Sequence, residues 1–404
     1  MGASLMLAAG LIVCAPARAQ PAAAQLGATV DGLLAAGRSL SPALRAAALD
    51  TAAASAKAGG ADALDDPVLS NGYSYFMGNS TLLTQSFPLW GKRSLRREAA
   101  MADLDAARGR ERAAQDELDE KIKVAYAQYY LTARDLAVNR EVAGLARQMV
   151  AASSAFYGQG RGDQGAVIQA IGEETTARTE AARLGGQKRA ARARLNALVG
   201  RPADAPLAEP ARARPLPAAE PALAVLVDRA RAANPTLSAS NAAIAAARTR
   251  STLADKAWYP DLTIGAGPLI QTNRQVGFAA TIGFNIPLPW GREASGQRQA
   301  AAELGATRQR YDAAQLEIEG ALGEALARLR AARATEALVR KEAIPQARAG
   351  FRSVLAAYGQ GSGELTAAVI AERQIRDVEL RLLQAQLDEQ VELAAIERLI
   401  GGNL

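Results

Sequence analysis

The sequence of 404 residues contains no histidine, and its only cysteine is Cys14. Histidine is the commonest general base, and histidine and cysteine are the commonest ligands of transition metals in proteins. The lack of histidine, and of any cysteine beyond Cys14, argues against a hydrolase triad and a zinc enzyme. No nucleophile–base pair, metal cluster or phosphate-binding loop takes their place. We therefore expect no enzyme activity, no catalytic residue, no metal site and no cofactor.

Aromatic residues are also scarce, at 4% of the chain, whereas hydrophobic residues make up 49%. This alanine-rich composition favours helices. The 47 basic and 41 acidic residues are interspersed along the helical segments, a pattern typical of solvated helix faces and not of a nucleic-acid interface. We expect a mainly helical protein without a nucleic-acid partner.

An apolar run at residues 5–13 precedes a small-x-small pattern, which together predict a signal peptide over residues 1–19 with cleavage before Gln20. The run is too short for a permanent membrane span, and the alternative is a buried N-terminal helix. Large aliphatic residues directly before Cys14 disfavour lipidation of that cysteine. No run of eighteen apolar residues follows, so the sequence predicts no transmembrane helix.

The chain repeats itself after about 200 residues, which is the sequence signature of an internal duplication. The segment 201–221 contains six prolines and reads as an extended connector between a first repeat at 20–200 and a second at 222–404. Each repeat has the order short helix, strand pair, long helix, glycine turn, long helix. The paired motifs are Ser41–Leu44 with Asn234–Leu237, Phe87–Lys92 with Ile286–Arg292, and Tyr157–Gly160 with Tyr358–Gly361.

Apolar residues in the long helices alternate spacings of four and three, which is the rhythm of a coiled-coil seam. A continuous helix from Arg93 to Tyr157 would be about 97 Å long. Gly144 and Pro345 fall at matching heights of the two long helices, so we expect a kink or an interruption in both. The seam positions are Leu118, Ile122, Ala125, Tyr129, Thr132 and Leu136 in the first repeat and Ile318, Leu322, Ala325, Leu329 and Ala332 in the second.

Strand pairs are predicted over residues 70–87 and 262–286, both loosely alternating and poor in charge. In the second pair Phe278, Ile282 and Phe284 share one face, and small residues occupy the other. A membrane barrel with a lipid-facing outside and a small-residue lumen has this pattern. The alternative, a two-stranded hairpin on a soluble domain, would be only marginally stable.

The strand-exit motifs Gln85–Lys92 and Asn285–Arg292 resemble the outer membrane efflux protein family, the TolC-type channels, and are most similar to its heavy-metal cation branch. The resemblance implies a homotrimer in the outer membrane, in which each protomer gives four strands to one shared twelve-stranded β-barrel. It also implies that the coiled-coil hairpins form an α-barrel in the periplasm. The implied partners are outer-membrane lipid, a periplasmic adaptor (membrane fusion) protein and an inner-membrane pump of the RND type.

In this family the glycine turns between the long helices form periplasmic tips where the adaptor docks. The corresponding turns here are 158–163 and 359–364, and their Asp163 and Glu364 can cap the helices that follow. Some members close the tunnel with aspartates after the second tip, but the aligned positions are Ala367 and Ile370, so Asp163, Glu364, Ala367 and Ile370 are the constriction candidates. The docking candidates are Gly158, Gln159, Gly160, Gly162, Asp163, Gly359, Gln360, Gly361, Ser362 and Glu364.

The leading hypothesis is a passive exit duct of a tripartite efflux system. Its cargo is either heavy-metal cations, which the strand-exit motifs favour, or small toxic organic compounds. A type I secretion duct for polypeptides has the same fold and stays open as an alternative. A periplasmic coiled-coil adaptor or scaffold would also have long hairpins, although it would not need two repeated strand pairs.

Overall fold

The computed structural model describes residues 26–75, 78–210, 212–217, 221–271 and 273–404. The predicted signal peptide, with Cys14, lies outside these residues. The prediction of a mainly helical chain with a small β part is confirmed. The elements are α1 Val30–Leu40, α2 Pro42–Gly60, β1 Val68–Ser74, β2 Gly78–Phe87, α3 Lys92–Gly158, α4 Gln164–Leu198, α5 Leu223–Ala233, α6 Pro235–Asp255, β3 Leu262–Ile270, β4 Val276–Phe284, α7 Arg292–Leu338, α8 Ile344–Gly359 and α9 Leu365–Ile400.

Equivalent residues of the two repeats make equivalent contacts. The α1–α3 junction holds an ion pair between Arg38 and Asp119, and the α5–α7 junction holds one between Arg231 and Glu319. Two apolar clusters lie beside these ion pairs. The first includes Leu33, Ile122, Ala125, Tyr129, Leu195 and Val199, and the second includes Leu226, Leu322, Ala325, Leu329, Ile396 and Ile400.

The long helices place the seam residues as their spacing predicts. Helix α3 has 67 residues and is therefore about 100 Å long at ~1.5 Å per residue. Its Leu118, Ile122, Ala125 and Tyr129 are all buried. Among the described residues, none of the helices combines the length and hydropathy needed to cross a bilayer.

Of the two expected helix interruptions, the structure shows only the one in the second repeat. Helix α3 runs without interruption through Gly144. In the second repeat a π-helical segment, Val339–Ala343, separates α7 from α8 just before Pro345. Proline lacks the N–H for the regular ladder and its ring collides with the carbonyl four residues earlier, so the helix widens there. A glycine keeps its N–H, and α3 continues.

A buried ion cluster ties the connector to the helices. The Lys123 ammonium donates to the Glu397 carboxylate at 2.9 Å and to the Asn403 side chain at 2.8 Å. Arg214 of the connector donates to the same carboxylate. Glu397 and Lys123 are almost fully buried, and a carboxylate at such depth is tolerated because it is paired and hydrogen-bonded.

The four strands form one antiparallel sheet in the order β1-β2-β3-β4. The strand pair of each repeat is a hairpin, and β2 joins the hairpins by pairing with β3, where Phe87 lies opposite Leu262 and Thr84 opposite Gly265. Strands β1 and β4 are therefore the edges of the sheet.

Candidate functional site: the two-faced sheet and the hairpin tips

One face of the sheet is apolar and exposed. The register places Ile282 opposite Ile264 and Phe278 opposite Pro268, so the side chains of β3 and β4 continue one surface. Phe278, Ile282 and Phe284 are 74%, 73% and 59% exposed. The apolar members of this face on the four strands are Leu69, Tyr73, Leu83, Phe87, Leu262, Ile264, Ala266, Pro268, Ile270, Val276, Phe278, Ala280, Ile282 and Phe284, and its polar members are Asn71, Asn79, Thr81 and Gln85.

The opposite face carries mostly serine, threonine, glycine and alanine. Two of its glycines are required by close packing: a Cβ on Gly267 would lie 1.9 Å from the Thr81 carbonyl oxygen, and a Cβ on Gly265 would lie 2.6 Å from the side chains of Thr84 and Thr281. The members of this face include Ser70, Gly72, Ser80, Thr84, Ser86, Thr263, Gly265, Gly267, Ala279, Thr281 and Gly283.

This division of faces suits contact with lipid on one side and water on the other. The edges β1 and β4 have no strand partner among the described residues. Unpaired backbone N–H and C=O groups are very unfavourable in hydrocarbon, because no water is present to bond them. A membrane-inserted form of this sheet therefore needs further strands at both edges.

The first strand exit is locked onto the second repeat. The Trp90 indole N–H donates to the Pro260 carbonyl at 2.8 Å, and its ring contacts that of Tyr259. The Lys92 ammonium donates to the Asp261 carboxylate at 2.8 Å. These contacts hold Trp90 at a positive φ of 60°, which is uncommon for a bulky residue.

The two tips have the same backbone geometry. Gly160, two residues after the end of α3, has a φ of 68°, and Gly361, two residues after the end of α8, has a φ of 76°. In each turn the N–H of the next residue bonds a carbonyl five residues earlier, at 3.0 Å from Arg161 to Phe156 and at 3.1 Å from Ser362 to Ala357. This is the Schellman helix ending, which favours glycine at its left-handed position.

The tips lie side by side and are open to solvent. The rings of Phe156 and Tyr358 pack edge to face with centroids 5.4 Å apart. The tip residues predicted as a docking surface are all exposed. Asp163 and Glu364 occupy the N-cap positions of α4 and α9, but neither side chain makes the predicted capping hydrogen bond.

The constriction candidates are also exposed in the single chain. Ala367 and Ile370 lie on the uncovered face of α9, and Ile370 is 62% exposed. Behind them an ion pair between Arg373 and Glu173 joins α9 to α4. Glu372 points the other way and is buried, and burial raises the pKa of its carboxyl.

Sequence reasoning missed a buried carboxyl group, that of Glu389, which lies near the half-buried Glu336 beside the π-helical segment. Glu389 is 1% exposed, and no N–H or O–H of the described chain donates to its carboxylate. It borders a cavity of about 160 Å³ that Tyr130, Arg214, Glu336 and Gln386 also line. Burial and the neighbouring Glu336 raise the pKa of Glu389 to about 7, against the opposing influence of Arg333 and Arg340.

Comparisons with known proteins agree with the resemblance and with the expected outer-membrane location. Residues 226–402, less than half of the chain, match the family model described as "Outer membrane efflux protein". No curated protein matches the sequence at a significant level. The matched family is one of efflux proteins and not of enzymes.

Several solved outer-membrane channels share the fold. VceC from Vibrio cholerae is 19% identical over 93% of this chain and 96% of its own, with a TM-score of 0.79. CusC, whose structures concern folding and transmembrane channel formation, is 19% identical over 93% and 92% of the two chains, also at 0.79. The open state of the MtrE channel from Neisseria gonorrhoeae is 19% identical over 93% and 90%, at 0.72. At this identity the likenesses establish the fold.

Proposed function

We propose that this chain is the outer-membrane exit duct of a tripartite efflux system, which passively conducts the substrate that an inner-membrane pump exports. The observation that carries the proposal is the two-faced sheet, with an exposed apolar face and two open edges, continued by helices about 100 Å long. A family match to efflux proteins and the shared fold of solved outer-membrane channels support it.

The duct is a homotrimer in this proposal. Four strands per copy give a twelve-stranded ring, which closes both sheet edges, and the helices of the three copies enclose the periplasmic tunnel. The exposed tips at 158–163 and 359–364 dock a periplasmic adaptor, which links the duct to a pump of the RND type. The constriction is formed by Asp163 and Glu364, the last residues of the tips, and by Ala367 and Ile370 near the start of α9.

Heavy-metal cations are the proposed cargo, on the basis of the strand-exit motifs ending in Lys92 and Arg292. A wide aqueous duct needs no dedicated metal ligands, so the same architecture also suits organic compounds. Secreted polypeptides are a weaker alternative cargo. An adaptor or scaffold role is disfavoured because it would leave the apolar face of the sheet exposed to water.

Cell fractionation tests the location and assembly. We expect the mature protein in the outer-membrane fraction as a trimer that resists detergent until it is heated, because closure of the strand edges removes every unpaired edge from the bilayer. Recovery as a soluble periplasmic monomer after gentle lysis would rule out the proposed duct.

Substitutions at the tips should separate docking from assembly. Gln159 and Gln360 are exposed, and neither side chain forms a hydrogen bond in the described chain. Changing both to glutamate leaves the turns intact and adds charge to each tip, so trimer abundance should stay normal. Crosslinking to the adaptor and cell survival under toxic metal salts should both fall, by about tenfold for a docking loss of ~1.4 kcal/mol.

The matched control for the tip variant is Gln187→Glu, an exposed glutamine on α4 about 35 Å from the tip. It should change neither crosslinking nor survival. If the tip variant keeps full crosslinking while variants at the far, strand-side loops lose it, the orientation proposed for the molecule is wrong. Survival under organic toxicants, measured in the same strains, distinguishes the two classes of cargo.

A further inference from the structure

The two repeats are covered unequally. The first part of α3 is buried, including Ala106 and Gly109, because α6 of the second repeat packs on it. In the equivalent first part of α7, α6 packs against one face, whereas the face that bears Ala306 and Gln309 is exposed. Among the residues described, the buried positions of α7 begin only at Leu322. A surface equivalent to a packed helix interface is therefore open.

The surface that would complete it is open on α2. Helix α2 is the first-repeat counterpart of α6, because Pro42 and Pro67 match Pro235 and Pro260 with one offset. Helix α6 buries its small face, whereas α2 buries only Ala58. The buried residues Leu237, Ala239, Ala246, Ala247 and Thr249 of α6 correspond to Leu44, Ala46, Ala53, Ala54 and Ala56 of α2. Of these α2 residues, Ala46, Ala53 and Ala56 are exposed, whereas Leu44 and Ala54 are half-buried against their own chain.

The exposed surfaces of α2 and α7 carry opposite charges at the positions equivalent to an ion pair between α6 and α3. Within the chain, Arg250 of α6 pairs with Asp103 of α3. The repeat offsets carry Arg250 to Lys57 and Asp103 to Glu303. Both are exposed, and neither forms an ion pair in the described part of the chain. Lys57 and Glu303 thus have the charges of an ion pair, but they do not form one within a single chain.

The strand pairing in the sheet also predicts a contact between the second repeat of one copy and the first repeat of another. Strand β2 pairs with β3 inside the chain, and the repeat counterparts are β4 and β1, the two free edges. Matching Phe87-Pro88 to Ile286-Pro287 places Ile282 opposite Tyr73 and Phe284 opposite Asn71 in such a pair. This register keeps the exposed apolar residues of both strands on one face, whereas a slip by one residue would not.

We propose that Lys57 of one copy forms an ion pair with Glu303 of the next copy, on an interface in which α2 of one copy packs on the first part of α7 of the other. The occupant of both open surfaces is a second copy of this chain. The contact is head to tail, so successive copies form a ring. The inference rests on the homo-oligomer of the proposed function and assigns its helix interface.

Charge reversal tests the ion pair. Lys57→Glu and Glu303→Lys should each reduce the fraction of oligomer that survives mild heating in detergent, about two- to fivefold, as expected when a surface ion pair is lost. The double variant should recover most of that loss, because the pair is restored in the opposite sense. Two single losses without recovery in the double variant would overturn the pairing.

Disulfide trapping tests the interface geometry. Gly109 and Ala239 are in close contact inside the chain, and their counterparts are Gln309 and Ala46. In a Cys14→Ala background, Ala46→Cys with Gln309→Cys should give crosslinked oligomers under oxidation, whereas Ala46→Cys with Gln187→Cys should not. A stable outer-membrane trimer that lacks the first crosslink overturns this inference alone. A wild-type chain that forms no oligomer overturns the proposed function as well.

Discussion

Ile282→Lys is expected to abolish assembly of the protein in the outer membrane. The Ile282 side chain is 73% exposed on the apolar face of β4, opposite Ile264 of β3. A lysine on the lipid face of a barrel is unfavourable by about 2 to 4 kcal/mol near mid-bilayer, and a trimer would contain three copies of it. Phe278→Asp lies on the same face and should act in the same direction. The measurement is the amount of heat-modifiable trimer in isolated outer membranes.

The control for this prediction is Thr281→Lys, because the adjacent side chain points to the small-residue face of the sheet. A lysine there would be hydrated in the lumen, so the trimer should form at close to the normal level. Equal trimer yields for Ile282→Lys, Phe278→Asp and the unmodified protein would mean that the lipid face has been assigned incorrectly.

Glu389→Gln is expected to stabilise the protein at pH 8 and to leave its stability unchanged at pH 4. The pKa of Glu389 in the folded protein is raised to about 7 from an ordinary value of 4.5. Between these values the folded state binds more protons than the unfolded state, so stability falls as pH rises through this window. The loss per chain at pH 8 is about 1 to 3 kcal/mol, and the neutral glutamine does not incur it.

Thermal unfolding in detergent at pH 4 and pH 8, at one protein concentration, measures this effect. Glu317→Gln removes the same charge from an exposed position of α7 and serves as the control, for which the two pH values should give the same small difference. If Glu389→Gln is no more stable than the unmodified protein at pH 8, Glu389 is not held in its protonated form by burial and Glu336.

The periodic features of the fold could be predicted from the sequence because they depend on short-range spacing. The rhythm that contains Ile122 and Leu322 specifies one helix face, and both residues are fully buried. The alternation that contains Phe278 specifies one strand face in the same way. The glycine turns could be located because only a residue tolerant of positive φ ends a helix as Gly160 and Gly361 do.

Features that depend on contacts between distant segments could not be predicted. Glu389 and Glu336 look like ordinary solvated helix positions, and only the packing of α9 against α7 brings them together. Lys123 and Glu397 are 274 residues apart, and no local pattern connects them. The interruption expected at Gly144 does not occur, for a reason that is local. Glycine permits a break in a helix without requiring one, whereas Pro345 removes a backbone hydrogen bond.

Electron microscopy of the protein extracted from outer membranes is the most direct test of the central claim, that copies of this chain form one continuous duct. We predict a ring of three copies in which β4 of each copy pairs with β1 of the next, closing a twelve-stranded barrel that opens into a helical tunnel about 100 Å long. A monomer, or an oligomer whose four-stranded sheets stay open at β1 and β4, would contradict the account.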